Sequence, residues 1–222
     1  MKTRSLMLVL IAALLTVGAG EKEQSVIWEL DNLEEIGGHK VKVVGEPKVI
    51  DTPYGKAIEF DGIDDGIFLD VHPLAGMTEF TVEVVFQPYM DGVVEQRFFH
   101  MQEYGTSERV MFETRLTEED DLWYLDTFMQ TGGKNNTMLA IGDKHEIGPW
   151  YHAAIVVDGE TFKHYVNGQM ELGKEVPFVP QKPGETSFGV RLNKIWWYKG
   201  AIRKARFTPR AMSPSEFLTA ED

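Results

Sequence analysis

Four pairs of polar side chains stand two residues apart in segments rich in β-forming residues. They are His100 with Gln102, Glu113 with Arg115, Tyr124 with Asp126, and Arg191 with Asn193. On an extended strand that spacing puts both members of a pair on one sheet face. If the pairs share a face, they line it with an imidazole, carboxylates, guanidinium groups and a phenol. Such a surface can hydrogen-bond sugar hydroxyls, and the neighbouring rings Trp123, Trp196, Trp197 and Tyr198 can stack on sugar faces. It can also do chemistry. Proton removal beside a uronate carboxylate needs a Tyr or His base and an Arg, Gln or Asn against the enolate-like charge. Glycosidic hydrolysis needs two carboxylates about 5–9 Å apart, and Glu113 with Asp126 is the pair to name. A half-exposed antiparallel sheet alternates polar and apolar residues in any case, so the pairs are equally the ordinary pattern of such a sheet. Arg97 precedes the first pair with parity opposed to His100, and His164 stands alone on its segment.

The elements that must position these residues read as strands. The run 150–168 has apolar Ala153–Val157, a reversal at Asp158-Gly159, an alternating return, and a second reversal at Asn167-Gly168. These dipeptides tolerate positive φ and close hairpins, so the run predicts an antiparallel meander. Thr78–Pro88 alternates, with Phe80, Val82, Val84 and Phe86 on one parity. Further β-like runs occupy 95–103, 108–116, 122–130, 137–141, 185–192 and 195–208, with Gly, Asn and Asp between them. Short strands punctuated by turn residues predict an all-β sandwich. Ser213-Pro214-Ser215-Glu216 has the form of a capping box with Pro at the first helical position, and predicts one short C-terminal helical turn. Trp150 and Trp28 are expected as core anchors. In Trp196-Trp197-Tyr198, adjacent residues on a strand point to opposite faces, so at least one ring should leave the core.

The first twenty residues are of another kind. Lys2 and Arg4 precede an apolar run, Leu6–Val17, and small residues at 17–19, the order of parts in a secretory signal. Residues 21–222 then form the domain, and the chain is expected to be secreted or periplasmic. No stretch reaches the roughly 18 apolar residues of a membrane span, and the absence of cysteine excludes disulfide stapling. Lys2 and Arg4 are the only charges before residue 21, so the remainder carries 35 acidic against 20 basic side chains, a net −15. That balance disfavours nucleic acid and anionic membranes, which call for a basic footprint.

Three stretches, in order, resemble the laminin-G-like, concanavalin A-like lectin/glucanase jelly rolls. They are Gly55–Asp65 with Phe80–Glu83 following, Trp150–Gly168, and Gly200–Phe207 with Ala211-Met212-Ser213 and Glu216. The resemblance implies a two-sheet antiparallel jelly-roll sandwich, with a carbohydrate polymer recognised on its concave face. Where this family commonly has an acid after Gly-x-Ile, the chain has Arg203. The fold hosts lectins, adhesion modules, glycosidases and lyases alike. No Glu-x-Asp-x-x-Glu strand is present, and Glu113-Thr114-Arg115 and His100-Met101-Gln102 are only inverted echoes of lyase strands. The expectation is therefore a glycan-binding module. The alternatives are an enzyme working through His100, Glu113, Arg115, Tyr124 and Asp126, or a protein-interaction module. Gln102, His164, Arg191, Asn193, Trp196 and Trp197 are the candidate ligand contacts. Asp61, Asp64 and Asp65 are the candidate calcium ligands, although Asp and Gly are also simply turn formers.

Overall fold

Alternating apolar residues become strands wherever two sheets can bury them, and this chain does little else. The computed structural model describes residues 24–117 and 121–222, so the expected signal segment lies outside the described residues. In chain order the strands begin with β1 (Val26–Glu29), β2 (Glu35–Ile36), β3 (His39–Lys40), β4 (Lys42–Val44), β5 (Lys48–Thr52) and β6 (Gly55–Asp61). Next come β7 (Gly66–Leu69), β8 (Phe80–Pro88), β9 (Glu95–Glu103), β10 (Arg109–Leu116), β11 (Leu122–Thr131) and β12 (Lys134–Glu146). The last are β13 (Tyr151–Val157), β14 (Thr161–Val166), β15 (Gln169–Glu175), β16 (Gly184–Phe188) and β17 (Lys199–Thr208), before a 3₁₀ turn at Pro214–Glu216.

One sheet runs β15-β14-β13-β8-β17-β6-β5 with β1 also on β17, and the other runs β12-β11-β10-β9-β16-β7-β4. All pairings are antiparallel, as a jelly-roll sandwich requires. Aromatic side chains fill the space between the sheets. Phe86 stacks on Phe98 at 4.2 Å and meets Trp123 edge-on at 5.3 Å. Trp28 packs edge-on against Phe207 at 4.6 Å. Trp28 is thus a core anchor as expected, whereas Trp150 is half-buried outside the core beside the Arg203 guanidinium. Ring pairs such as those of Trp28 add about 0.5–1.5 kcal/mol each beyond the area they bury.

The meander β13-β14-β15 forms as its turn residues predict. Asn167 and Gly168 both take positive φ, 47° and 77°, the signature of a type I′ turn. The first reversal is a three-residue loop in which the Asp158 carboxylate accepts the Glu160 and Thr161 amides.

The C-terminal tail covers part of the outer face of the eight-stranded sheet, over β13 and β14. Phe217 packs on Ala154, Val156 and Tyr165, which explains why every residue of β13 is buried. Beneath the tail, Glu83 accepts hydrogen bonds from Arg206 Nε (2.5 Å) and the Leu218 amide (2.8 Å), and its carboxylate lies 2.9 Å from His152 Nε2. Burial alone would raise the Glu83 pKa, but the His152 and Arg206 hydrogen bonds outweigh it and hold it below the ordinary range. Glu216 accepts the Ser213 amide at 3.1 Å and is gripped by Arg210 at 2.7 Å, so the sequence signature at Ser213 does mark the turn. Among the described residues no helix is long and apolar enough to cross a membrane.

Candidate functional site

The outer face of the seven-stranded sheet is where the polar pairs converge. Cross-strand register sets Gln102 beside Arg109, His100 beside Met111, and Arg97 beside Glu113. On the next strand Arg109 meets Gln130, Glu113 meets Asp126, and Arg115 meets Tyr124. All six residues expected on one face from strand spacing are therefore brought together. Arg97 joins them against its parity. The register shifts between Phe112 and Glu113, so Phe98 and Phe99 both enter the core and the strand resumes with Arg97 on the side of His100. One extra residue in a β-bulge reverses the parity of what precedes it.

At one end of this face lies a knot of charge. Glu113 and Asp126 are only 2% and 1% exposed. Arg97 lies 2.8 Å from Glu113, and Arg115 donates to Asp126 through both Nε (2.8 Å) and Nη2 (2.6 Å). Glu95 takes ion pairs from Arg97 at 3.0 Å and from Arg115. Two buried carboxyls hydrogen-bonded to each other resist double ionisation. Burial first, and then the neighbouring Asp126 charge, push the Glu113 carboxyl up to about 8 despite both arginines. Asp126 is also raised, by burial, with Arg115 opposing. The pair therefore shares a proton near neutral pH.

A loop, 190–197, arches over the same face. Its ends are pinched by the Tyr198 amide donating to Gly189 O at 2.8 Å, and the Gly189 amide donates to Phe98 O at 3.1 Å. Gly189 is required there. Its φ is +80°, and a Cβ would come within 2.2 Å of the Phe60 ring. Midway, the Leu192 amide donates to His100 Nδ1 at 3.0 Å, which leaves the imidazole hydrogen on Nε2. His100 is 1% exposed, and Nε2 has no hydrogen-bond partner among the described residues. Burial, followed by the charges of Arg191, Arg109 and Arg97, holds its pKa well below the ordinary value, so the ring is neutral. At the loop's far end Trp196 is 40% exposed with φ +63°, an outlying conformation for a bulky residue. Its carbonyl accepts the Arg97 amide at 3.0 Å and its ring lies 5.1 Å from the Arg97 guanidinium.

The structure corrects several expectations. Of the expected runs 185–192 and 195–208, residues 189–192 and 195–198 are not strand, because Gly189, Lys194 and Trp196 all adopt positive φ. Arg191 therefore reaches the face from a loop, on which Asn193 is exposed. His164 does not reach it at all. It is fully buried between the sheets, with Nδ1 2.7 Å from Thr127 Oγ1, and burial lowers its pKa to about 4. Trp123 and Tyr198 are core residues, so neither ring is available for stacking. Trp197 is half-buried against Gly66, which leaves Trp196 as the ring that leaves the core. Phe128, half-exposed with the Arg109 guanidinium 4.4 Å above its ring, is a surface aromatic that the sequence reading missed. Its alternation with Asp126 and Gln130 was the available signal.

The acidic turn is a separate place, at the end of β6 beside a cleft of 890 Å³ lined by Glu46, Lys48, Tyr89 and Lys199. Asp61, Asp64 and Asp65 bring carboxylate oxygens within 4.8 Å of one another. Calcium asks for six to eight oxygens. Here Asp61 Oδ1 already accepts the Ile63, Asp64 and Asp65 amides, while both Asp65 oxygens accept backbone amides of Glu46 and Asp61. These bonds brace the turn, and the exposed Asp64 carboxylate stands beside them. Arg203 is likewise structural. It donates to Tyr54 O at 2.7 Å and Ala220 O at 3.0 Å, fastening the tail.

A family model described as the concanavalin A-like lectin/glucanases superfamily matches residues 61–217, and the chain belongs to that superfamily. No curated protein sequence matches it. Among solved structures, the chain is similar to domain 4 of a GH43 extracellular arabinanase from Geobacillus stearothermophilus, solved with arabinotriose. The TM-score is 0.64 and the identity 19%, over 88% of this chain and 97% of that one. It is also similar to a heptameric SAP-like pentraxin from Limulus polyphemus, with TM-score 0.56 and 19% identity over 71% of this chain and 77% of that one. The binding domain of a botulinum neurotoxin, type DC, matches with TM-score 0.62 and 9% identity, over 86% of this chain but 49% of that one. At these identities the likeness is one of fold.

Proposed function

We propose that this member of the superfamily is an exported glycan-binding module that holds a polysaccharide across the outer face of its seven-stranded sheet without cleaving it. Trp196 carries the reading. Its ring is kept in water on a strained backbone, braced by Arg97, at the edge of a face of hydrogen-bonding side chains. Backbone strain of about 1–3 kcal/mol persists where the surroundings enforce it, commonly at ligand sites. The tail covers β13 and β14 on the outer face of the other sheet, whereas the polar face of this sheet is open along Trp196 and Phe128. A fold partner solved with arabinotriose supports a sugar as the ligand. Export rests on the signal-like order of residues 1–20.

The enzymatic alternative is weaker on geometry. Glu113 and Asp126 are direct cross-strand partners, both buried and engaged by Arg97 and Arg115, whereas the two carboxyls of a glycosidase stand about 5 Å or more apart with sugar or water between them. His100 spends Nδ1 on the loop, and its Nε2 is buried. The test is retention of residues 21–222 on a panel of immobilised polysaccharides, read together with release of reducing ends and unsaturated sugars. Retention without product, lost in Trp196→Gly, is the expected result. Product that disappears in Glu113→Gln would make the face an active site. Neither retention nor product on any glycan would leave a protein-interaction module.

A further inference from the structure

We infer that the glycan held on this face carries an oxyanion, a uronate carboxylate or a sulfate ester, received between Arg109 and Arg191. This inference rests on the glycan-binding reading and narrows it.

Of the four guanidinium groups at the site, Arg97 and Arg115 are neutralised by Glu95, Glu113 and Asp126. The other two have no carboxylate within ion-pair distance among the described residues. Arg109 donates only to neutral oxygens, Ser107 O at 2.8 Å and Gln130 Oε1 at 2.6 Å, and its buried Nε has no partner. Arg191 is half-buried, and among the described residues its guanidinium makes no hydrogen bond or ion pair. The two flank His100. Arg109 lies two residues from Met111, the cross-strand neighbour of His100, and Arg191 directly precedes Leu192, whose amide binds His100.

Two unneutralised cations brought together in partly desolvated surroundings repel, on a chain with a net charge of −13 and acids to spare. The repulsion is felt locally, since each lowers the proton affinity of groups beside it. A ligand anion relieves it, and guanidinium is suited to planar oxyanions through paired hydrogen bonds. His100 acts here as a positioning residue: neutral, it accepts the Leu192 amide and so fixes the loop that carries Arg191.

The test is affinity electrophoresis of the full domain through gels containing polygalacturonate, a sulfated galactan, or the uncharged polymers arabinan and dextran. Wild type, Arg191→Gln and Arg191→Lys are compared, with thermal melting of each. Arg191 loses no bond in the fold, so Arg191→Gln should melt no lower than wild type. It should weaken retention on the anionic polymer about tenfold or more, the usual cost of a charge-assisted contact, and Arg191→Lys should recover part of it. Retention on polygalacturonate alone identifies the carboxylate, and on the galactan alone the sulfate. Equal retention of Arg191→Gln and wild type on the anionic gels overturns the inference. Retention on arabinan or dextran but on neither anionic polymer overturns it too, while leaving the glycan-binding reading intact. Retention on none removes both.

Discussion

Replacing Glu113 by Gln should stabilise the protein in mild alkali and leave it unchanged in mild acid. In the fold Glu113 keeps its proton to about pH 8, against an ordinary value of 4.5. The unfolded chain gives that proton up near 4.5. Between these limits the folded state binds one more proton than the unfolded state, so wild-type stability falls as pH rises. At about 1.4 kcal/mol per pH unit the gap sets a ceiling of about 5 kcal/mol. The proton is shared with Asp126, and relaxation of the buried pair lowers the effect, so a loss of about 2–3 kcal/mol by pH 8 is expected. Gln resembles the protonated acid in shape, donates from its amide to the unpartnered Asp126 Oδ1, and has no proton to lose. Thermal melting of both proteins from pH 5 to 9 reads the difference, because other titrating groups cancel. For a domain of this size Glu113→Gln should melt about 5–10 °C above wild type at pH 8 and match it near pH 5. A flat difference, or a variant less stable at pH 8, would refute the shared-proton arrangement.

Other perturbations separate the remaining parts. Glu83→Gln should cost about 3–5 kcal/mol at neutral pH by stranding Arg206 and His152, and limited proteolysis should then cut within 213–222. Since the Glu83 pKa is depressed, its contribution exists above the ordinary carboxylate range and fades as pH falls through its folded value, so variant and wild type should converge in acid. Trp196→Gly should leave stability within about 1 kcal/mol, because relief of the positive φ offsets the lost contact with Arg97, while Trp196→Ala, which keeps the strain, should be the less stable by denaturant titration. Asp64→Asn should not shift the melting temperature in calcium or in chelator; a calcium-dependent rise in wild type that the variant lacks would restore the metal reading.

The sandwich was legible because its signals are local. Alternation in β8, the Asn167-Gly168 turn and the Ser213–Glu216 signature each act through neighbouring residues, and the fold leaves each where the sequence puts it. The face was half legible for the same reason. Pairs two residues apart stay on one side of a regular strand, so His100 with Gln102 and Glu113 with Arg115 needed no tertiary knowledge. What failed were the places where regularity breaks. A single bulge at Phe98-Phe99 decides on which side Arg97 stands, and no residue type there announces it. The runs 185–192 and 195–208 looked like strand to their ends, although Gly189 interrupts the first and positive φ at Lys194 and Trp196 follows from tertiary pinning. His164 shares the parity of Phe162 and Val166, the core side of its strand, and there the other sheet supplies Thr127 to receive it; its polar type, not its position, suggested a ligand contact.

These breaks are also what distinguish this face from an ordinary sandwich exterior. A regular strand through 95–103 would turn Arg97 inward, leaving Glu113 with Arg115 alone and Trp196 without the guanidinium beneath its ring. A regular strand through 189–198 would withdraw Arg191 and Trp196 from the face and leave His100 Nδ1 without the Leu192 amide. The bulge and the loop are joined, since the Gly189 amide binds Phe98 O and the Arg97 amide binds Trp196 O. Deleting the bulge should therefore disturb both ends of the site at once. Removing Phe98 from the chain would test this. With one residue fewer, Arg97 still stands opposite Glu113 on the side of His100, but the strand straightens and the Gly189 amide loses the Phe98 carbonyl. Retention through Trp196 and through Arg191 should therefore fall together, whereas independent contributions would leave one of them intact.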